Sequence, residues 1–198
     1  MQSKRLGCRT IVAVASGLLA AGAAMADGER LFFEVSNDIG PGQPSAVVTL
    51  WAAFDPDDYA VAWVAADLEA SEGTWSGIAI VPPMDGPGTT PGIVDGRRVE
   101  GVIAGQWNIP VGAGVFADPS NPIALWRGTL AVDDFTPRTI DLASMATRFD
   151  VYIARHSTAY RSRIDTLEQA AGSITVVPAP ASGAVLVLGV LAARRRRG

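Results

Sequence analysis

The 198-residue sequence predicts a mainly β protein whose middle part folds as an antiparallel β-sandwich. Short apolar segments recur along this part at fairly regular spacing, and the breaks between them are rich in Gly, Pro, Asp and Asn. Many short strands with such breaks are typical of antiparallel sandwiches and barrels. The eight candidate strands cover residues 30–36, 46–54, 59–69, 74–81, 98–107, 123–132, 148–154 and 173–177.

The second and third candidate strands predict a hairpin. Residues 55–58, DPDD, suit a type I turn because Asp comes first and Pro stands second, where its fixed φ fits. In this register Leu50 opposes Trp63 on the face toward the core, and Trp51 points to the other face. A loop longer or shorter by one residue shifts the pairing of the two strands by one position and places Trp51 beside Trp63 instead.

The stretch that follows the seventh candidate strand is polar at first and then amphipathic. His156, the single histidine, lies in the polar part and is predicted to be a surface loop residue. Residues 161–171 predict one short helix, because Ile164, Leu167 and Ala171 stand at helical spacing.

The N-terminus has the three parts of a secretory signal peptide. The first nine residues carry three basic side chains, residues 10–24 are largely apolar, and Ala24 and Ala26 form a small-x-small cleavage site. Cleavage after Ala26 gives a mature chain that starts at Asp27. The alternative is a permanent N-terminal anchor, for which this apolar run is short.

The charge of the middle part excludes some partners. Residues 27–177 contain nine arginines, no lysine and all twenty acidic residues, a net charge of −11. Such a domain repels phosphate backbones, so no nucleic-acid partner is expected. The single cysteine, Cys8, lies inside the predicted signal peptide, so the mature chain must be stabilised by its hydrophobic core rather than by disulfides.

Catalytic patterns are weak in this sequence. One histidine leaves His156 as the sole base for a Ser-His-Asp triad, and Ser76 in GTWSG stands one place too late for a nucleophile elbow. One histidine and no mature cysteine cannot form the usual zinc site. Calcium needs only oxygen ligands, which the acidic turns at 55–58 and 133–134 could supply, and two converging carboxylates would suit a glycosidase. We expect no enzyme, no cofactor and no metal.

The five tryptophans raise the alternative of carbohydrate binding, since an exposed aromatic ring is a platform for a sugar ring. Trp51 is the first candidate, because the hairpin register points it away from the core. Trp126 and Trp107 stand near strand ends and are the next candidates. The competing interpretation for each is packing in the core or on a sheet face.

The chain closes with VVPAPASGAVLVLGVLAARRRRG, residues 176–198. Residues 181–193 carry no charge, and the run reaches eighteen residues when counted from 176, slightly short of the roughly twenty that span a bilayer. Pro178 and Pro180 impose an extended entry to this run. Four arginines follow it and fit the positive-inside rule: Arg194, Arg195, Arg196 and Arg197.

This tail resembles the PEP-CTERM sorting signal of Gram-negative and planctomycete-like bacteria, which joins a Pro-Glu-Pro motif, an apolar helix and a terminal Arg cluster. Carried over by position, the motif is Pro178, Ala179 and Pro180, the transmembrane helix is residues 181–193, and the arginine cluster is the stop. The sequence departs from the family at Ala179, where Glu is usual. The resemblance implies an exosortase-like processing enzyme, a precursor anchored in the inner membrane, and delivery to the cell surface or the extracellular polysaccharide. Retention of the tail as an anchor is the alternative to its removal.

Residues 45–75, SAVVTLWAAFDPDDYAVAWVAADLEASEGTW, loosely resemble cohesin-like or carbohydrate-module β-sandwiches. With this resemblance, the expected sandwich is of jelly-roll or cohesin-like type. The predicted organisation is a signal peptide at 1–26, a sandwich domain at 27–175 and a sorting signal at 176–198. We expect an exported cell-surface or matrix protein with a structural or interaction role. A carbohydrate-binding module that contacts exopolysaccharide is the alternative, and a hydrolase is the third hypothesis.

Overall fold

The computed structural model describes residues 28–109 and 114–178. These residues form ten strands, and buried and exposed side chains alternate along most of them. No helix is present among these residues, and hence none that is long and apolar enough to cross a membrane. The strands are β1 (Arg30–Val35), β2 (Ser45–Ala53), β3 (Ala60–Ala70), β4 (Thr74–Ile80), β5 (Ile93–Asp95), β6 (Arg98–Gly105), β7 (Ile123–Ala131), β8 (Arg138–Tyr152), β9 (Tyr160–Ser162) and β10 (Ala171–Val176).

The strands form two antiparallel sheets that pack face to face. The four-stranded sheet has the order β1-β2-β7-β4, and the six-stranded sheet has the order β10-β8-β3-β6-β5, with β9 paired to the last part of β8. Side chains at alternate positions of both sheets fill the space between them, among them Val48 and Leu50 of β2, Leu68 of β3 and Ile140 of β8. The predicted antiparallel sandwich is therefore confirmed.

The two ends of the sandwich differ. We call the end where β8 finishes at Tyr152 the loop end, because the covering loop (residues 106–109 and 114–118) packs there. At the opposite end, the tail end, the last residue of β10, Val176, pairs with Arg138, the first residue of β8. The fifteen residues of β8 separate these ends by about 45 Å, at roughly 3.3 Å per residue.

Trp126 occupies the centre of the core. Its side chain is fully buried, meets Trp75 edge-on at 5.5 Å and donates its indole N–H to the carbonyl of Pro91 at 3.0 Å. The ring lies along its own strand over Gly128, where an added Cβ would stand 2.4 Å from Cη2 of the indole. Only glycine leaves room for the ring at this position.

Most of the predicted strands form, with one large difference in length. Seven of the eight lie within about two residues of observed strands, and β8 begins ten residues earlier than the predicted 148–154 segment. The short strands β5 and β9 are additional. The first half of β8 was missed because its core positions, such as Ile140 and Leu142, alternate with Thr139 and Asp141 over only a few residues before small side chains interrupt the pattern.

The predicted hairpin between β2 and β3 is wrong, although its turn is present. Asp58 N–H donates to the carbonyl of Asp55 at 2.9 Å, as the turn requires. However, β2 pairs with β1 and β7 while β3 pairs with β6 and β8, so Leu50 and Trp63 belong to different sheets. The turn passes the chain from one sheet to the other, because both strands bury an apolar face against the same core.

The predicted helix at 161–171 is also wrong. Its first residues belong to β9, and its last residue begins β10. Between them Ile164 and Leu167 still pack against the core, but from a turn rather than a helix. The backbone of Glu168 pairs with the N-terminal segment, donating to the carbonyl of Glu29 at 2.9 Å and accepting from the N–H of Leu31 at 2.8 Å. These tertiary hydrogen bonds replace the ones that a helix would make within itself.

Several predictions lie outside the described residues. They are the signal peptide at 1–26 with Ala24 and Ala26, the motif residues Ala179 and Pro180, the apolar segment 181–193 and the arginine cluster Arg194, Arg195, Arg196 and Arg197. Pro178 is the last described residue and lies two positions after the end of β10.

We predict that Gly128→Ala lowers the melting temperature by several degrees. The added methyl group overlaps the Trp126 ring, and overpacking of this kind costs about 1–3 kcal/mol. The matched control is Gly42→Ala, since nothing lies within 4 Å of a Cβ at Gly42. Differential scanning calorimetry of the two variants would contradict this account of the core if both melted with the parent protein.

Candidate functional site

Two of the acidic residues considered for metal binding, Asp58 and Asp134, are engaged in other contacts. In the part of the chain that the structure describes, no three His, Cys, Asp or Glu side chains are grouped as a metal site requires. Asp58 forms ion pairs with Arg161 and Arg163, and Asp134 accepts hydrogen bonds from the N–H and the hydroxyl of Thr136. Asp58 therefore joins distant parts of the fold, whereas Asp134 stabilises its own turn.

The two residues weighed for nucleophilic catalysis lie apart. His156 is exposed on a loop, as predicted, and its ring meets Phe116 edge-on at 5.5 Å. Ser76 lies inside β4, opposite Thr129 of β7, and so does not occupy a strand-to-helix turn. Ser76 and His156 therefore lie on different elements, the strand β4 and the loop after β8.

Two of the three tryptophans considered for carbohydrate binding, Trp51 and Trp126, have different surroundings. The prediction for Trp126 is wrong, because a fully buried ring between the sheets offers no face to a sugar. Trp51 does point away from the core, on the outer face of the four-stranded sheet. Its ring is nearly parallel to that of Phe32, with centroids 6.4 Å apart, and its indole N–H donates to Oε2 of Glu34 at 2.9 Å.

The outer face of the six-stranded sheet is exposed in the half nearer the tail end, which we call the open half. One row of cross-strand neighbours runs across it: Ala171, Ala143, Glu69, Arg98 and Asp95. In the next row Met145 stands opposite Asp67, and Ile93 stands opposite Glu100. Met145 is 65 % exposed and Ile93 is 75 % exposed, the two largest values among the exposed apolar side chains of the described residues.

Charged side chains surround these two apolar ones. Glu69 contacts Arg98 at 3.1 Å and Arg97 at 3.4 Å, and Asp67 accepts the N–H of Gly101 at 2.7 Å. The hydrogen bond from Arg98 to Glu69 and the charge of Glu69 raise the pKa of Arg98 above its ordinary value. Asp67, Glu69, Arg98 and Met145 line a shallow cleft of about 160 Å³.

The half of the same face nearer the loop end is covered. Here Ala60, Ala62 and Tyr152 form a second, smaller apolar cluster beneath Ala117 of the covering loop. Burial raises the pKa of the Tyr152 phenol, which stays protonated and donates to the carbonyl of Gln106 at 3.0 Å. The loop therefore turns this half of an outer sheet face into a buried layer.

Two buried amide side chains hold the covering loop in place. Gln106 donates to the carbonyls of Val61 and Asp118 and accepts the N–H of Asp118. Asn108 accepts the N–H of Ala117, and its amide donates to three carbonyl groups in the loop that follows β8, those of Ala154, Arg155 and Ser157. Such satisfied buried amides fix a loop because each lost partner would leave a buried polar group unpaired.

A stacked arrangement separates the covered half from the open half. The Trp63 ring lies against Gly105 on the neighbouring strand, where an added Cβ would be 2.2 Å from Cε3 of the indole. The guanidinium of Arg148 lies 5.7 Å from the ring centroids of both Trp63 and Tyr160 and forms an ion pair with the buried Asp150. These contacts immobilise Arg148 at the edge of the exposed surface.

An ion-pair cluster ties β9 to the start of β3 at the loop end. The fully buried carboxylate of Asp58 accepts hydrogen bonds from Arg161 and Arg163, and Arg163 also contacts Glu29 at 3.1 Å. Burial opposes the charged form of Arg163, but the hydrogen bond and charge of Asp58 outweigh it, so the pKa of Arg163 lies above its ordinary value. Removing one partner of such a buried pair is costly, because the other charge stays buried.

The residues that define the open half were not singled out from the sequence. Met145 lies in the half of β8 that was not predicted, and its exposure follows from that strand's register. The order Gln106-Trp107-Asn108 is a signal that could have pointed to the covering loop. Two amide side chains on either side of an aromatic residue can anchor the end of a strand by hydrogen bonds when they are buried.

No protein-family model matches the sequence, and no curated protein matches it. Among solved structures, the fold is similar to the seventh ScaB type I cohesin from Pseudobacteroides cellulosolvens, with a TM-score of 0.52 and 12 % identity over 78 % of this chain and 96 % of that chain. A cohesin–dockerin complex from Clostridium thermocellum matches with a TM-score of 0.46 and 11 % identity over 75 % of this chain and 99 % of that one. The sixth cohesin of scaffoldin B from Acetivibrio cellulolyticus, solved with a dockerin, matches with a TM-score of 0.46 and 8 % identity over 73 % of this chain and 96 % of that one. The first likeness shows that the chain has a cohesin-like β-sandwich fold.

Proposed function

We propose that this chain is an exported, non-enzymatic interaction module that binds a protein partner through the open half of its six-stranded sheet. The observation that carries the proposal is the exposure of Met145 and Ile93 on a sheet face that also carries charged side chains. The strands β3 and β6 lie between these two residues, so apolar and charged groups are mixed on this face, as they are on many interfaces that form and dissociate. Methionine suits this role, because its flexible thioether adapts to the surface that it meets.

The shape of the open half favours a macromolecule over a small ligand. Its cleft of about 160 Å³ is smaller than the roughly 300 Å³ at which ligand pockets begin. The ion pairs of Glu69 with Arg97 and Arg98 are exposed, so they contribute little to stability and leave these charges available to a partner. A sheet face with several exposed charges of both signs is suited to recognition by complementary charges of a partner.

The outer face of the four-stranded sheet has a different composition. Thr49, Ser76, Arg127 and Thr129 occupy its central positions, and Val47 is the single strongly exposed apolar residue among the described residues of its strands. Isolated apolar side chains of this kind are normal on a protein surface. The two outer faces therefore provide a matched comparison within one molecule.

Export and sorting complete the proposal. The proposed precursor carries a signal peptide that is cleaved after Ala26 and a PEP-CTERM-type tail recognised by an exosortase-like enzyme at the membrane. The position of the tail supports this: β10 ends at Val176, and the Pro178-Ala179-Pro180 motif starts two residues later, beyond the strand ladder. Cleavage at this motif would therefore leave β1 to β10 intact.

We predict that a photoreactive amino acid placed at Met145 of the exported chain crosslinks a protein partner on the producing cells, while the same group at Val47 does not. The two positions are both exposed and apolar but lie on opposite sheets. Mass spectrometry of the adducts is the measurement. Purified parent chain should compete for the adduct, and a Met145→Asp chain should not, since a new charge opposes burial of this position.

A docking face at the open half would be contradicted by equal adducts from the two positions. It would also be contradicted by competition from the Met145→Asp chain that is as strong as competition from the parent chain.

We predict that the intact mass of the native exported protein corresponds to a chain from Asp27 to a residue near Pro180. This follows from cleavage at both predicted processing sites. A mass that includes Gly198 would mean that the tail is retained as an anchor, and a mass that includes Met1 would overturn the signal peptide. The control is the same chain with Ala26→Leu, which should keep its N-terminal segment because a large side chain at this position blocks cleavage.

A further inference from the structure

Trp107 is exposed although the residues on both sides of it are anchored in the interior. Gln106 and Asn108 are 4 % and 2 % exposed, and Trp107 between them is 45 % exposed. The hydrogen bonds of the two amides determine the direction of the backbone here, so the indole must point outward. A large aromatic side chain on a rigid segment loses little conformational entropy when a partner covers it.

A second aromatic residue of the covering loop stands beside Trp107 and is also held in place. Phe116 is 37 % exposed, and the guanidinium of Arg155 lies 4.6 Å from the centroid of its ring. The ring of His156 meets it edge-on at 5.5 Å. Val115, next to Phe116, is 48 % exposed. The apolar side chains at this end therefore form a continuous exposed patch rather than scattered single residues.

Two prolines lie next to these aromatic side chains, and together they line a cleft. Pro83 and Pro87 line the same cleft of about 230 Å³ as Trp107 and Phe116. The cleft is small, so it suits a few side chains of a chain segment rather than a whole ligand of ordinary size. Grooves lined by aromatic side chains are the surfaces that bind extended, proline-containing peptides. Such peptides lose little entropy on binding, because proline already restricts them to an extended form.

The polar groups of the cleft favour a peptide over a sugar. The amide of Gln106 already uses both its donor and acceptor atoms within the protein. Asp85 is exposed at the cleft and forms no ion pair with the described residues, whereas Arg155 is stacked on Phe116. A single carboxylate in a domain of net charge −11 attracts a basic side chain.

We propose that the cleft between Trp107, Phe116 and Pro87 binds an extended, proline-containing peptide segment that carries a basic residue next to Asp85. This site lies at the loop end, on the other side of the Trp63 stack from the open half. It therefore does not depend on the proposed docking face. It also lies at the end of the sandwich opposite to β10, so a chain held by its tail end presents the cleft away from the point of attachment.

The test is a titration of the exported chain with synthetic peptides, followed by tryptophan fluorescence and calorimetry. The probes are a short peptide with repeated Pro-x-x-Pro and one Arg, the same peptide with Gln in place of Arg, and a version in which Ala replaces every Pro. We expect the Arg peptide to bind best, the Gln peptide several-fold more weakly, and the version without proline not at all.

Three variants locate the binding. Trp107→Ala should lower the affinity for the Arg peptide at least ten-fold. Asp85→Asn should remove the preference for the Arg peptide over the Gln peptide while keeping binding of the latter. The matched control is Trp51→Ala, which removes a surface tryptophan from the other sheet and should leave the affinity unchanged. Circular dichroism and the melting temperature of each variant show that it is folded.

Several results would overturn the proposal. They are the absence of binding by both proline peptides, equal affinity of the parent chain and Trp107→Ala, or loss of binding in Trp51→Ala alone. Binding of a neutral oligosaccharide that Trp107→Ala abolishes, without peptide binding, would reassign the cleft to a glycan. Self-association that Trp107→Ala abolishes, without peptide binding, would reassign it to a second copy of the chain.

Discussion

The covering loop, held over one half of the six-stranded sheet by Gln106 and Asn108, determines what the rest of the molecule can do. Without it, both halves of this outer face would be open to solvent. With it, Ala60, Ala62 and Tyr152 form a buried layer, and only the open half remains as a flat exposed surface. The same two amides force Trp107 outward. One set of buried hydrogen bonds therefore defines the boundary of the docking face and creates the aromatic cleft at the loop end.

The core beneath that loop depends on two close approaches of tryptophan to glycine. Trp126 over Gly128 fills the space between the sheets, and Trp63 over Gly105 covers the outer side of one of them. Each ring covers a strand at a position without a side chain, and so adds apolar burial on the inner face in one case and on the outer face in the other. The paired charges around Asp58 then fasten β9 to this end, because their separation would leave a buried carboxylate without a partner.

The strands could be predicted from the sequence because alternation and turn residues are local signals. Which strands pair with each other depends on contacts between residues that are distant in sequence, so the pairing could not be predicted. The turn at residues 55–58 was correct, but nothing in its four residues states whether the chain folds back or crosses to the other sheet. The alternation of side chains along β2 was enough to place Trp51 on an outer face. The burial of Trp126 could not be predicted, because it results from Trp75, Gly128 and Pro91, which are distant in sequence or lack a side-chain signal. Met145 was missed for the same reason: its exposure depends on a ten-residue extension of β8 with weak alternation.

The oxidation of Met145 in place on the cell surface is the measurement that tests the central claim most directly. The proposed mature chain contains two methionines that differ in exposure to solvent: Met145 is 65 % exposed and Met84 is fully buried. Peroxide should oxidise Met145 rapidly in the purified protein and much more slowly on intact producing cells, where a partner covers the open half, while Met84 resists in both. Equal oxidation of Met145 in the two settings would contradict a docking function for this face.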